Sequence, residues 1–120
     1  MQRISVVSIP VSDQDAAKAF YLDKLGFELI ADAPFGDGLR WLQVRPPGSE
    51  ASIALVTWFD DMPAGSLHGL VIDTDHLDGD YRAMVERGVP FADPPKATDG
   101  GTFATFADPD GNHLSLRQAD

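Results

Sequence analysis

The stretch FADPDGNHLSLRQ, residues 106–118, decides the fold. Pro109 sits between Asp108 and Asp110, with Gly111 next, and each is a turn residue for its own reason. Proline presets φ, aspartate side chains bond nearby backbone amides, and glycine accepts a positive φ. Phe106 before the turn and the alternating Leu114 and Leu116 after it read as two strands of a hairpin. If the leucines face a core, then His113, Ser115 and Arg117 share the opposite face.

Moving outward, a second turn, RPPGSEA, lies about 62 residues earlier between LRWLQV and SIALVTW. Both hairpins follow a helical segment. In SDQDAAKAFYLDKLG, Ser12 or Asp13 can cap, and Ala16, Ala17, Phe20, Tyr21 and Leu25 form one face before Gly26. In DHLDGDYRAMVERG, Asp75 can cap, Leu77, Tyr81, Met84 and Val85 form the face, and Gly88 terminates. Gly79 weakens the first turn of this second helix by about 1 kcal/mol relative to alanine.

Asp13 to Gly26 and Asp75 to Gly88 span thirteen positions each. A strand precedes each helix (ISVVSIPV, then LHGLVI) and another follows it (FELIA, then VPFA). The chain therefore reads as one α+β domain, residues 1–120, built from two repeated β-α-β-β-β modules at about 1–60 and 65–120. A single helix covers only one face of its sheet. Apolar residues on both faces of SIALVTW and LRWLQV imply that the second face is partly buried too. The expected solution is a pair of curved mixed sheets facing each other around a cavity, within one chain or across a dimer.

Composition sets outer limits. A chain of 120 residues is one domain by length and buries about two-thirds of its unfolded surface. No apolar run reaches the ~18 residues of a membrane span, and MQRISVV lacks a signal-peptide core, so a cytoplasmic location without membrane association is expected. Without cysteine there is no disulfide, zinc knuckle or thiol nucleophile. The net charge of −10 argues against nucleic acid as a partner. It suits solubility and is compatible with a cationic ligand.

With FYLDKLGFEL in the first module and FADPDGNHLSL in the second, the chain resembles the vicinal oxygen chelate superfamily of glyoxalases, extradiol dioxygenases and bleomycin resistance proteins. The resemblance implies paired modules and a homodimer with cavities at or near its interface. It also implies four metal-ligand positions, usually His or Glu, on the first and last strands of each module. Counted along this chain, those positions fall on Val6, Ala54, Gly69 and Ser115. None is a good ligand, and a divalent metal needs about three convergent N or O donors.

The three histidines do not repair this. If Gly69 points inward, strand alternation turns His68 towards the helix side. His76, at the start of the second helix, is expected on the surface. His113, two residues before Ser115, shares its face and is either a ligand contact or a rim residue. Nor is there a phosphate loop, dinucleotide fingerprint, HExxH or nucleophile elbow, and DPDGNH lacks calcium-loop spacing.

The parity of the four positions assigns an inward face carrying Ser8, Val56, Trp58, Val71, His113, Ser115 and Arg117. On the third strand Leu42 and Val44 pack under the helix, leaving Trp41 and Gln43 inward, and Phe103 and Thr105 match them in the second module. TWFDDMP places Trp58, Phe59 and Met62 in a loop that is a lid, an interface or core.

Candidate ligand contacts are thus Ser8, Trp41, Gln43, Trp58, Phe103, Thr105, His113, Ser115 and Arg117. Aromatic walls and sparse polar points suit a flat, partly apolar small molecule. The expected function is metal-free binding, without cofactor, that sequesters or carries an aromatic or cationic ligand. The alternative is a glyoxalase- or dioxygenase-like enzyme holding a divalent metal through rearranged ligands.

Overall fold

A computed structural model describes residues 1–120. The first module comprises β1 (Val6–Pro10), α1 (Gln14–Ala19), β2 (Glu28–Phe35), β3 (Leu39–Arg45) and β4 (Ser52–Val56). The second comprises β5 (Leu70–Asp73), α2 (Leu77–Glu86), β6 (Lys96–Thr98), β7 (Gly101–Ala107) and β8 (His113–Gln118). Strand order is β1-β4-β3-β2 in one sheet and β5-β8-β7-β6 in the other. The two orders are the same topology written twice. In each sheet the first strand pairs parallel with the fourth and the remaining pairs are antiparallel.

Asp13 caps α1, its carboxylate accepting from the Ala16 amide at 3.1 Å. From Phe20 to Lys24 the helix widens into a π turn. The turn places Phe20 and Tyr21 side by side in the core, both buried, and leaves Ala16, expected on the apolar face, exposed. Gly26 ends the segment at φ +76°, as its position after the last apolar residue requires.

The second helix departs from expectation at its start. Its N-cap is His76 rather than Asp75, and no side chain caps it from within. Instead Gln118 Oε1, at the end of β8, accepts from the Leu77 amide at 2.8 Å. A partner supplied by the sheet replaces the local cap, a substitution invisible to a local motif. Val85, expected on the packed face, is 45% exposed, while Leu77 and Met84 are buried.

One further strand moves. VPFA is not the second strand of module two: Phe91 makes a single bridge to Phe106, and β6 forms later at Lys96–Thr98.

The helix sides of both sheets share one core, in which Ile9, Leu42, Val44, Leu55, Phe106 and Leu114 are 0–1% exposed. Each such aliphatic or aromatic side chain contributes about 1.5–3 kcal/mol on burial. Leu42 and Val44 lie under the helix as the alternation of β3 predicts. Every residue of β4 is buried, so that strand is covered on both faces.

The DPDGN turn joins the modules. Buried Asp108 accepts from the Tyr21 hydroxyl and Asn112 Nδ2, each at 2.8 Å, and from the Asp110 and Asn112 amides at 3.0 and 2.9 Å. Asn112 Nδ2 also donates to the Pro10 carbonyl at 2.8 Å, and its Oδ1 accepts from the Leu67 amide at 3.0 Å. Four donors satisfy a carboxyl group that is 4% exposed, as a polar group away from water requires. Burial, reinforced by the Asp108 charge, pushes the Tyr21 phenol well above its usual range. Gly65 is obligatory beside this turn: at φ +84° a Cβ would come within 2.2 Å of the Asp110 carbonyl oxygen.

Candidate functional site

With the helices and the shared core on one side of each sheet, the other, open side carries no helix, although β4 is buried on that side too. Register identifies its residues. Ser8 pairs with Ala54, and Ala54 with Gln43, across β1, β4 and β3. Val71 pairs with Ser115, and Ser115 with Thr105, across β5, β8 and β7. Phe103 pairs with Arg117, Asp73 with Arg117, and Ala107 with His113. Register thus puts Ser8, Ala54 and Gln43 side by side in the first sheet, and Val71, Ser115 and Thr105, with Phe103 and Arg117, in the second; Trp58 lies beyond the paired strands.

The first open face is aromatic. Trp41 and Trp58 stack with centroids 6.2 Å apart at 28°. Phe35 lies 5.7 Å from Trp41 and 5.2 Å from Trp58, and Phe59 lies 6.1 Å from Trp58. These spacings fall in the range of favourable ring pairs. Trp58 and Phe59 lie beyond the end of β4, so their loop folds back onto the strand residue Trp41. A polar relay anchors the cluster: Trp41 Nε1 donates to Gln43 Oε1 at 2.9 Å, and Gln43 Nε2 donates to Ser52 Oγ at 2.6 Å.

The second open face is polar. The Thr105 and Ser115 hydroxyls share a hydrogen bond of 2.7 Å. Arg117 grips Asp73 with two bonds, Nε to Oδ1 at 2.8 Å and Nη2 to Oδ2 at 3.1 Å. His68 and His113 stack at 4.7 Å with ring planes only 11° apart. That corrects the expectation that His68 points to the helix side. Gly69, at φ +88°, turns the chain just before β5 begins at Leu70, so strand alternation does not extend back to His68.

The four positions implied for a metal do not fit one. Val6, Ala54 and Gly69 offer no donor side chain, and the Ser115 hydroxyl is engaged with Thr105. Imidazole lone pairs lie in the ring plane, so two nearly parallel stacked rings cannot converge on one ion. No group of three or more His, Asp or Glu side chains is placed to hold a metal.

The two open faces do not close on each other around a common cavity within the chain, as the facing-sheet expectation allowed. The larger cavities, about 410 and 400 Å³, lie between the modules beside Pro46, Pro47, Ile72 and Asp73. None of the nine candidate residues lines either one. Phe103 and Thr105 border a smaller recess of about 200 Å³. On the second face Val71 is 46% exposed, and His113 and Thr105 are exposed.

Sequence reasoning missed two contributors, Phe35 and Asp73. Phe35 was out of view because β2, read as FELIA, runs on to residue 35 past a bulge between Leu29 and Ala31 that breaks the apolar alternation. The signal available was the glycine-rich GDG turn, residues 36–38, directly after it. Asp73 was out of view because the strand read as LHGLVI stops one residue short of it, whereas β5 includes it.

Two duplicated modules, each with one face packed under its helix and one left open, define a paired-module α+β protein of the glyoxalase type. The family model described as Glyoxalase/Bleomycin resistance protein/Dioxygenase superfamily matches residues 3–116, and the chain belongs to that superfamily. It is similar to a solved structure from Streptomyces sp. CB03234 described as TnmS3, an antibiotic binding protein. That likeness has 48% identity and a TM-score of 0.95 over 100% of this chain and 98% of the other. A glyoxalase/bleomycin resistance protein from the same organism is 50% identical, with a TM-score of 0.89 over 97% of this chain and 100% of the other. An uncharacterized Bacillus subtilis protein, YetH, is 36% identical over 98% of this chain and 99% of its own length.

Proposed function

We propose that this protein is a metal-free binder that sequesters or carries a flat, largely apolar small molecule, working in the cytoplasm as a homodimer. The observation behind the reading is the cluster of Phe35, Trp41, Trp58 and Phe59 on a sheet face that the chain's own helices do not cover. Rings supply contact area with little conformational entropy to lose, and Gln43 and the facing hydroxyls supply orientation. Similarity to an antibiotic binding protein supports a small-molecule ligand. The misfit of Val6, Ala54, Gly69 and Ser115 to any cation supports metal-free binding. A second copy of the chain accounts for the uncovered faces: it can lay its second open face over the first and enclose a ligand between them. No helix is long and apolar enough to cross a membrane.

Trp41 and Trp58 are the only tryptophans, so intrinsic fluorescence reports this face directly. Titration with flat tricyclic compounds is expected to quench it saturably. Sedimentation is expected to give a dimer, and the protein desalted after exposure to Ni²⁺, Zn²⁺ or Mn²⁺ is expected to retain no stoichiometric metal. A metal retained at one per chain and lost on replacing His68 or His113 would favour the enzyme instead.

A further inference from the structure

We infer that the Arg117–Asp73 pair on the second open face selects, among flat ligands, those carrying an uncharged hydrogen-bond acceptor beside a donor. This rests on the ligand-binding reading above. It deepens that reading by naming the polar group the ligand presents.

Register sets this position against its counterpart in the first module. Ala54 and Ser115 are equivalent, each paired with the first and third strands of its own sheet. Two residues further along, the first module has Val56 and the second has Arg117. Opposite them stand Pro10 and Asp73. The module with the ring cluster thus closes its open face with two apolar residues, and the other places an ion pair at the same point.

The fork is held in place. Both its bonds to Asp73 run side by side across adjacent strands, the bidentate arrangement that fixes a guanidinium plane. Gly101, at φ +113°, packs against the neighbouring strand beside Arg117, where a Cβ would come within 2.7 Å of the Gln118 carbonyl oxygen. Phe103, the cross-strand partner of Arg117, supplies a ring on the same face.

Of the five guanidinium N–H groups, two are used on Asp73, leaving three to donate outward. Asp73 keeps lone pairs free beside them. Because the pair is neutral as a unit, it offers no net attraction to an anion, and a carboxylate docking there would meet the Asp73 charge at short range. A carbonyl next to an N–H or O–H meets neither penalty. It accepts from Arg117 and donates to Asp73.

The test uses the full chain and three flat tricyclics of similar area: phenanthridinone, with adjacent C=O and N–H; N-methylphenanthridinone, with the acceptor alone; and phenanthrene-9-carboxylate. Kd is measured by calorimetry, with tryptophan quenching as a check on occupancy. Phenanthridinone is expected to bind at least about tenfold more tightly than either of the others. Asp73→Asn is expected to reverse the order in favour of the carboxylate, and Arg117→Gln to erase the preference for the lactam. Equal affinities in the unsubstituted protein, or a preference for the carboxylate there, would overturn the inference while leaving the aromatic-face reading intact. If none of the three binds or quenches, both fall together. The primary comparison is between ligands on one protein, so it does not depend on either variant folding.

Discussion

The two open faces share one backbone frame and carry different chemistry. Trp41 and Phe103 occupy equivalent places, as do Gln43 and Thr105, Ala54 and Ser115, and Ser8 and Val71. The first face gathers four rings; the second gathers a hydroxyl pair, an imidazole stack and an ion pair. Pairing register constrains only the backbone and the direction in which a side chain leaves it. Identical topology therefore leaves the open positions free to diverge, whereas the positions under the helices stay apolar in both modules because they share one core.

The comparison breaks most completely where the modules are joined. Asp108→Ala leaves the Tyr21 hydroxyl, the Asn112 amide and two backbone N–H groups short of an acceptor in a buried place. The expected loss is about 3 kcal/mol or more, read from urea unfolding. Loss of under about 1 kcal/mol would show that the turn is not what holds the modules in register.

The ring cluster should matter more for binding than its counterpart does. Trp41→Ala is expected to weaken a flat tricyclic by at least about tenfold, on the order of 1.4 kcal/mol, and Phe103→Ala by less. Calorimetry on both variants ranks the faces, and the reverse ranking would place the main contact on the second module.

Alkaline titration isolates the clasp. In the folded protein Tyr21 holds its proton far above the value of about 10 at which an unfolded tyrosine releases it. Above that pH the unfolded chain binds fewer protons than the native one, so stability falls as pH rises. Tyr21→Phe should be somewhat less stable at neutral pH and should lack this component of the alkaline slope.

The smallest effect is expected at the edge of the first sheet. Hydrogen bonds from Arg40 and then Lys18 hold Asp32 well below the ordinary carboxylate range. Its contribution to stability is present above the unfolded value of about 4 and is lost as pH falls towards the depressed folded one. Asp32→Asn should flatten that part of the acid limb in thermal melts. The second module lacks an equivalent pair at the matching edge strand β6, whose Lys96 makes no ion pair.

Much of this architecture is legible in residue order. Leu114 and Leu116 alternate with Ser115 and Arg117, and β8 forms at His113–Gln118 where the alternation places it. Asp13 and Gly26 bound the first helical segment for reasons contained within it. Legibility ends where a partner is distant in sequence. Leu77 is capped by Gln118, 41 positions away, so Asp75 had no role to fill. His68 lies against His113 because Gly69 redirects the chain.

The sequence by itself determined the α+β class, the hairpin around the DPDGN turn and the absence of metal-binding side chains at Val6, Ala54, Gly69 and Ser115. These follow from period, turn chemistry and donor inventory, all local properties of a chain. Only the tertiary structure decided that Asp108 clasps Tyr21 across 87 positions, that Phe35 joins two tryptophans, and that Arg117 is tied to Asp73. Each depends on where a remote segment comes to rest, which the packing of the shared core sets and no local pattern encodes.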